Sequence, residues 1–361
     1  MKKPNPRLKE QQTIKKRWEN HISRKRIKQG YRPRKKIKSK TQKELISLPE
    51  TICIYKASNS LSNEREKYIR TIGAFNQINK CISGKYVLSF KKTKLISAAA
   101  SLILYSAIEN AIKRGCKFYI LSSHNAKVNS IIQSTGIAGL TSGRKVTPQF
   151  NQNSPLPILT GENGMYRDEI IDHIKGYIFK QNMSPSDEHI FADAVQETIN
   201  NVNFHAYPDS SEGKKWWLLC NVIENELYLS IFDQGVGIPK TVIKRKWFIY
   251  SFQKSFPKHY KDIKDEIKLG TSQKVSRFLS LGKVPDDVLI RISMIGDLSG
   301  TQKDKRGQGS KSIKALVNEN ENGKLWIFSN AGLYTLSGGV EANTSIDKSV
   351  NGTLIQWNIK L

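Results

Sequence analysis

Two rhythms of apolar and polar residues run through this chain. Short runs rich in β-branched and aromatic residues read as strands: TICIYKA (Thr51–Ala57), KYVLSFKK (Lys85–Lys92) and KFYILSS (Lys117–Ser123). Between and after them, apolar positions recur every three or four residues, as on a helix face. AAASLILYSAIENAIKRG (Ala98–Gly115) has that spacing and stops at a glycine; AKVNSIIQSTGI (Ala126–Ile137) repeats it. Strands alternating with helices predict an α/β layer over residues 46–142. Residues 143–164 are rich in Gly, Pro, Asn and Ser and read as a linker. A second α/β region follows over residues 165–361. Its main elements are a helix ending at Tyr207, a strand ELYLSIF (Glu226–Phe232), a helix PDDVLIRISMIG (Pro285–Gly296) and a C-terminal strand NGTLIQWNIKL. The expected fold class is α/β in the broad sense, α+β where the helices group on one side of a sheet.

One helix breaks its own pattern. In HIFADAVQETINNVNFHAY (His189–Tyr207), Ile190, Phe191, Ala194, Val195, Thr198, Ile199 and Val202 supply an apolar face. Glu197, Asn201 and His205 stand four residues apart and therefore one above another, with Asp193 extending the line backwards. Such a line is either a solvated face or a carboxylate and an amide aimed at a ligand, and the helix alone does not choose.

Charge changes the picture at the N-terminus. Residues 1–40 hold 17 Lys and Arg against Glu10 and Glu19, a net +15 of the chain's +28. Runs such as SRKRIK and RPRKKIKSK either bind DNA, RNA or another polyanion by counterion release or form a solubilising tail. No zinc-finger spacing or RNA-recognition aromatic motif accompanies them, so sequence-specific base reading has no support. Cys53, Cys81, Cys116 and Cys220 lack metal or disulfide spacing and suit a reducing cytoplasm. The longest apolar stretch, Leu95–Ile108, is too short to span a bilayer and holds three serines. No membrane partner is expected.

Three further motifs carry chemistry. Asp233-Gln234-Gly235-Val236-Gly237 ends a predicted strand, where an aspartate can accept a hydrogen bond from an exocyclic amine and glycines let a ligand approach the backbone. Gly307 and Gly309 precede an amphipathic run, and a glycine-rich turn opening a helix presents N–H groups to phosphate, with Lys311 or Arg306 adding charge. Gly352-Thr353 opens the final strand. The P-loop pattern is missing, which excludes that class of NTPase.

Taken in order, E-x-x-x-N-x-x-x-H-A-Y, D-x-G-x-G-I-P, G-x-G before a helix and G-T before the last strand resemble the GHKL ATPase superfamily. That superfamily groups gyrase, heat-shock ATPase chaperones, histidine kinases and mismatch-repair ATPases. Within it the helix motif is most similar to the anti-sigma-factor serine kinases. The resemblance covers residues 165–361 and implies an α/β sandwich with helices on one face of a mixed sheet, binding ATP and Mg²⁺. By the same resemblance Asn201 is the magnesium ligand and Glu197 the general base. Asp233 reads the adenine amine with Thr353 assisting, Gly235 and Gly237 pass under the nucleotide, and Gly307 and Gly309 belong to the lid. His205 and Tyr207 match the pattern but are read as packing the helix end. Residues 46–142 are similar to the STAS domain of anti-sigma-factor antagonists, with QSTGIAGL (Gln133–Leu140) as its closing segment. The turn Ser97-Ala98-Ala99-Ala100 places alanine where that family carries its phospho-acceptor serine, so docking of a partner protein or a homodimer is the implied role.

The chain departs from the small serine kinases in its 66 residues between Pro239 and Arg306. This enlarged lid, residues 240–306, has aromatics read as a small extra core rather than a partner surface. The sensor-kinase helix hairpin with a phospho-acceptor histidine is not visible. The expected activity is ATP hydrolysis or phosphorylation of a partner protein. The alternative is an ATP-switched regulator, or a phage-defence component, whose basic arm (residues 1–45) holds nucleic acid.

Overall fold

The computed structural model describes residues 6–28, 43–55, 62–144, 150, 154–210, 213–267, 284–296, 298 and 309–361. The chain divides into two units, residues 1–42 and residues 43–361. In the first, α1 (Pro6–Lys28) is a helix built from good helix formers, Lys, Arg, Gln and Glu. Lys15, Lys16, Arg17 and Arg24 are exposed on it, as are Ile14 and Trp18. The call on residues 29–42 lies outside the described residues.

The second unit begins with β1 (Glu44–Ser47), β2 (Thr51–Ile52), α2 (Ser62–Asn79), β3 (Gly84–Ser89), β4 (Leu95–Ile96), α3 (Ala98–Lys113), β5 (Cys116–Leu121), α4 (Ala126–Ser134) and α5 (Ile137–Thr141). β1, β3 and β5 form a parallel three-stranded sheet, and β2 with β4 a short parallel pair. TICIYKA contributes only the two residues of β2 to strand structure, while ELIS, left unread as part of the arm boundary, supplies β1. The helix α3 is apolar almost all round because it is buried on nearly every side.

The remaining elements are β6 (Leu159–Glu162), α6 (Arg167–His173), α7 (Pro185–Asn201), β7 (Lys215–Ile223), β8 (Glu226–Asp233), α8 (Ile238–Val242), α9 (Phe248–Ser255), α10 (Pro257–Ile267), α11 (Asp286–Ile295), α12 (Gly309–Asn318), β9 (Lys324–Ser337) and β10 (Val340–Lys360). Five strands make a sheet in the order β6-β7-β8-β10-β9, and every pairing in it is antiparallel. The parallel pairs of this α+β chain thus sit in the N-terminal sheets. The reason is local: Glu224-Asn225 and Gly338-Gly339 have positive φ at both central positions, the conformation that closes two-residue hairpins. β6 lies within residues 143–164, so part of the stretch read as a linker is an edge strand.

Both faces of this sheet are covered, with period-two alternation deciding which residue goes where. Trp216, Leu218, Leu229, Ile231, Ile327, Ile355 and Trp357 face a core shared with α6, α7, α11 and α12. Trp217, Leu219, Phe232, Phe328 and Leu354 face the opposite core, shared with α2 and α3. Residues 46–142 therefore pack directly on the C-terminal sheet. Polar contacts fix the register of that packing. Glu109 Oε2 on α3 accepts from Lys215 Nζ and, at 2.9 Å, from Trp217 Nε1. Asn110 Nδ2 donates to Gln234 Oε1 at 2.6 Å, and Tyr55 Oη donates to Gln356 Oε1 at 2.7 Å. Within residues 240–306 a third, smaller core holds Val242, Phe248, Phe252, Ile263, Val288 and Ile292. The aromatics there are mainly core, as their clustering predicts. Among the described residues no helix is long and apolar enough to cross a membrane.

Candidate functional site

Helix α7 is well started. Ser184 caps it, its Oγ accepting from Asp187 N at 3.0 Å, with Pro185 at the first position and Asp187 and Glu188 in the first turn. Phe191, Ala194, Val195, Thr198 and Ile199 are buried against the sheet, which fixes the azimuth of the polar line. Asp193 is exposed and lies 3.7 Å from His189 at the surface, whereas Glu197, Asn201 and His205 are half-buried. The helix does not run unchanged to Tyr207. From Val202 to Ala206 it widens into a π-turn. There the Ala206 carbonyl accepts from Val236 N at 2.8 Å, joining the helix end to the turn after β8. Tyr207 secures the same junction, donating to Lys215 O at 2.7 Å and accepting from Gln234 N at 3.0 Å.

That turn carries Asp233 as the last residue of β8, opposite Thr353 on β10. Asp233 is 6% exposed, and its Oδ1 accepts from Gly235 N at 2.8 Å. Removal from water pushes its carboxyl up to about 7, against the opposing pull of the Gly235 and Thr353 N–H groups. Ser329 organises the neighbourhood: its Oγ accepts from Ile238 N at 2.9 Å and sits 3.0 Å from Thr353 Oγ1. Nothing in the sequence pattern marks Ser329, because it enters only through the pairing of β9 with β10.

A cleft of roughly 990 Å³, part of it open to solvent, lies above these elements, within the size range of small-molecule sites. Of the residues proposed from sequence, Glu197, Asn201, Asp233, Gly237, Gly309 and Thr353 line it. Gly235 does not. Its backbone presses on the end of α7, where a Cβ would overlap the Ala206 carbonyl, so that glycine serves helix packing and not approach to a ligand. Lys311 is exposed and outside the lining. The charge assigned to it therefore does not face the cleft, because it lies two residues into α12 on the side away from α7. Gly307 and Arg306 lie outside the described residues. Gly309 meets Glu197 directly, since a Cβ there would overlap the carboxylate.

Sequence reasoning left Arg245 and Trp247 unassigned, and both line the cleft with Thr241, Ser293, Met294 and Ser310. They belong to the turn between α8 and α9, which the third core holds in place; no local motif signals it. His205, read as packing, also lines the cleft. Burial raises the Glu197 carboxyl, with Asp193 adding to the effect and the Asn201 hydrogen bond opposing it. The cleft thus offers one carboxylate near neutral proton affinity, one buried acceptor at its floor, an amide one turn from the first carboxylate, and a guanidinium. Among the described residues no group of three or more His, Cys, Asp or Glu could hold a metal. A cation here would rest on few protein oxygens plus those of a ligand, the habit of Mg²⁺.

No protein-family model matches the chain, and no curated protein matches it. Among solved structures, the histidine kinase domain of the blue-light-activated histidine kinase from Erythrobacter litoralis EL346 is similar at 12% identity and a TM-score of 0.23, over 80% of this chain and 90% of that one. The site's chemistry accordingly stands on its own geometry.

Proposed function

We propose that the cleft binds an adenine nucleotide with Mg²⁺ and that the chain is an ATPase or a protein phosphotransferase. The observation that carries this reading is convergence. Glu197 and Asn201, Asp233 and Gly237, Gly309, and Thr353 come from four separate stretches of sequence and line one cleft. Asp233, buried and presenting an acceptor, suits the amino group of adenine, with the Thr353 hydroxyl beside it. Asn201 would hold the magnesium through its side-chain oxygen, and the ion would neutralise phosphate charge. Glu197 takes the proton of the attacking water or hydroxyl; its raised proton affinity brings it towards the pH at which a general base is efficient.

Hydrolysis and transfer to a protein hydroxyl use the same two residues, so the acceptor decides between them. The N-terminal α/β layer supports the transfer reading, because Asn110 on α3 touches Gln234, the neighbour of Asp233. A partner docked on that layer has a direct route to the nucleotide turn. The test is labelled ATP supplied with and without candidate partner proteins and nucleic acid, following both free phosphate and protein label. Glu197→Gln should retain ATP binding and lose turnover by about 100-fold or more. Wild-type turnover in that variant removes Glu197 as the base.

A further inference from the structure

If the cleft takes a polyphosphate, something in it must oppose the charge. Its lining contains two carboxylates, Glu197 and Asp233, which by themselves repel an anionic ligand. Lys311 faces elsewhere. Arg245 is the one Arg or Lys among the described lining residues.

Its position is specific. The backbone of the turn is tied down at both ends, Arg245 N donating to Val242 O at 3.0 Å and Phe248 N donating to Arg245 O at 3.0 Å. The flanking Val242 and Phe248 are buried in the third core. The guanidinium Nη2 donates to Nε2 of His205. An arginine only donates, so His205 Nε2 is the acceptor and the imidazole carries its proton on Nδ1 or none at Nε2. His205 stands one helical turn beyond Asn201 on the line that begins at Glu197. That places the guanidinium at the end of the cleft where the base and the magnesium ligand lie, away from Asp233 in the sheet floor.

We infer that Arg245 is the phosphate-binding residue of this cleft and that His205 positions it. This rests on the nucleotide reading above and assigns the charge that reading leaves open. The fork of a guanidinium can give one N–H to His205 and still present others to phosphate oxygens, a charge-assisted contact that a lysine meets as a point charge only. His205 is a positioning residue: it holds the fork and need not touch the ligand.

The experiment measures three probes by calorimetry on the full chain: ATP with Mg²⁺, adenosine, and inorganic tripolyphosphate. In Arg245→Gln, affinity for ATP and for tripolyphosphate should fall about 10- to 100-fold, while adenosine affinity stays as in the wild type. Arg245→Lys should fall between the two. His205→Ala should weaken the phosphate probes and His205→Gln, which keeps an acceptor, should recover part of the loss. Retained adenosine binding also shows that the variants fold. An unchanged ratio of ATP to adenosine affinity in Arg245→Gln overturns the assignment. If the wild type binds tripolyphosphate but neither adenosine nor ATP preferentially, the adenine reading fails while Arg245 is still tested. If it binds none of the three, both readings fall.

Discussion

Replacing Asp233 by Asn should make the protein more stable and its site worse. In the unfolded chain this carboxyl ionises near its ordinary 3.8, and in the folded chain burial pushes it up to about 7. Between those values the unfolded state has released its proton while the folded state keeps it. A rise in pH therefore favours unfolding. The penalty is absent below about pH 4, grows to about pH 7 and is level above, and its full size is about 4 kcal/mol at roughly 1.4 kcal/mol per pH unit. Asn keeps one oxygen for the Gly235 N–H and carries no such penalty. Urea unfolding of both proteins at several pH values measures the difference. The variant's stability relative to wild type should increase by about 2–3 kcal/mol between about pH 5 and pH 7.5. At the same time its amide presents an N–H to any incoming amine, so affinity for adenine nucleotides should drop by about 10-fold or more. A stability difference that stays constant across that pH range refutes the burial argument, and unaltered ATP affinity removes Asp233 from the site.

Other consequences are equally concrete. Gly309→Ala brings a methyl group onto the Glu197 carboxylate, the far end of a flexible side chain. The fold should tolerate it, with an unchanged melting temperature, while turnover falls by about 10-fold or more; wild-type turnover refutes the contact. Glu109→Ala strands Lys215, whose side chain is only 12% exposed, and should cost about 3–5 kcal/mol in urea unfolding. Pairing Glu109→Gln with Lys215→Met should restore most of that, and a double variant as unstable as the single one contradicts the ion-pair explanation. Deleting residues 1–40 should flatten the dependence of DNA or RNA binding on salt concentration, measured as the slope of log affinity against log salt. An unchanged slope makes the arm a solubilising tail.

The elements with strong local signals were legible from residues alone. The helix around Glu197 and the strand ending at Asp233 follow from periodicities of 3.6 and two, which depend only on which neighbours are apolar. The helix after Pro285 is legible for the same reason. β2 and β6 were not, because strands of two and four residues gain their hydrogen bonds from partners far along the chain, Leu95–Ile96 and Leu218 to Lys215 respectively. The packing of α3 on the sheet was hidden for a similar reason. The alternation of Trp216 and Trp217 signals burial on both sides but not which element covers each.

The site divides in the same way. Residue type and spacing put Glu197 and Asn201 on one helix face, and Asp233 at a strand end. Those facts are set by the covalent geometry of helix and strand. Tertiary structure decided what meets across the cleft. It turned Gly235 towards the helix and Lys311 to the surface, and it brought Gly309 against Glu197. It also carried Arg245 to His205, 40 residues away, on a turn held by a separate apolar core. Spacing within one element is fixed by the chain, whereas distance between elements is fixed by packing, and charge placement in this cleft belongs to the second.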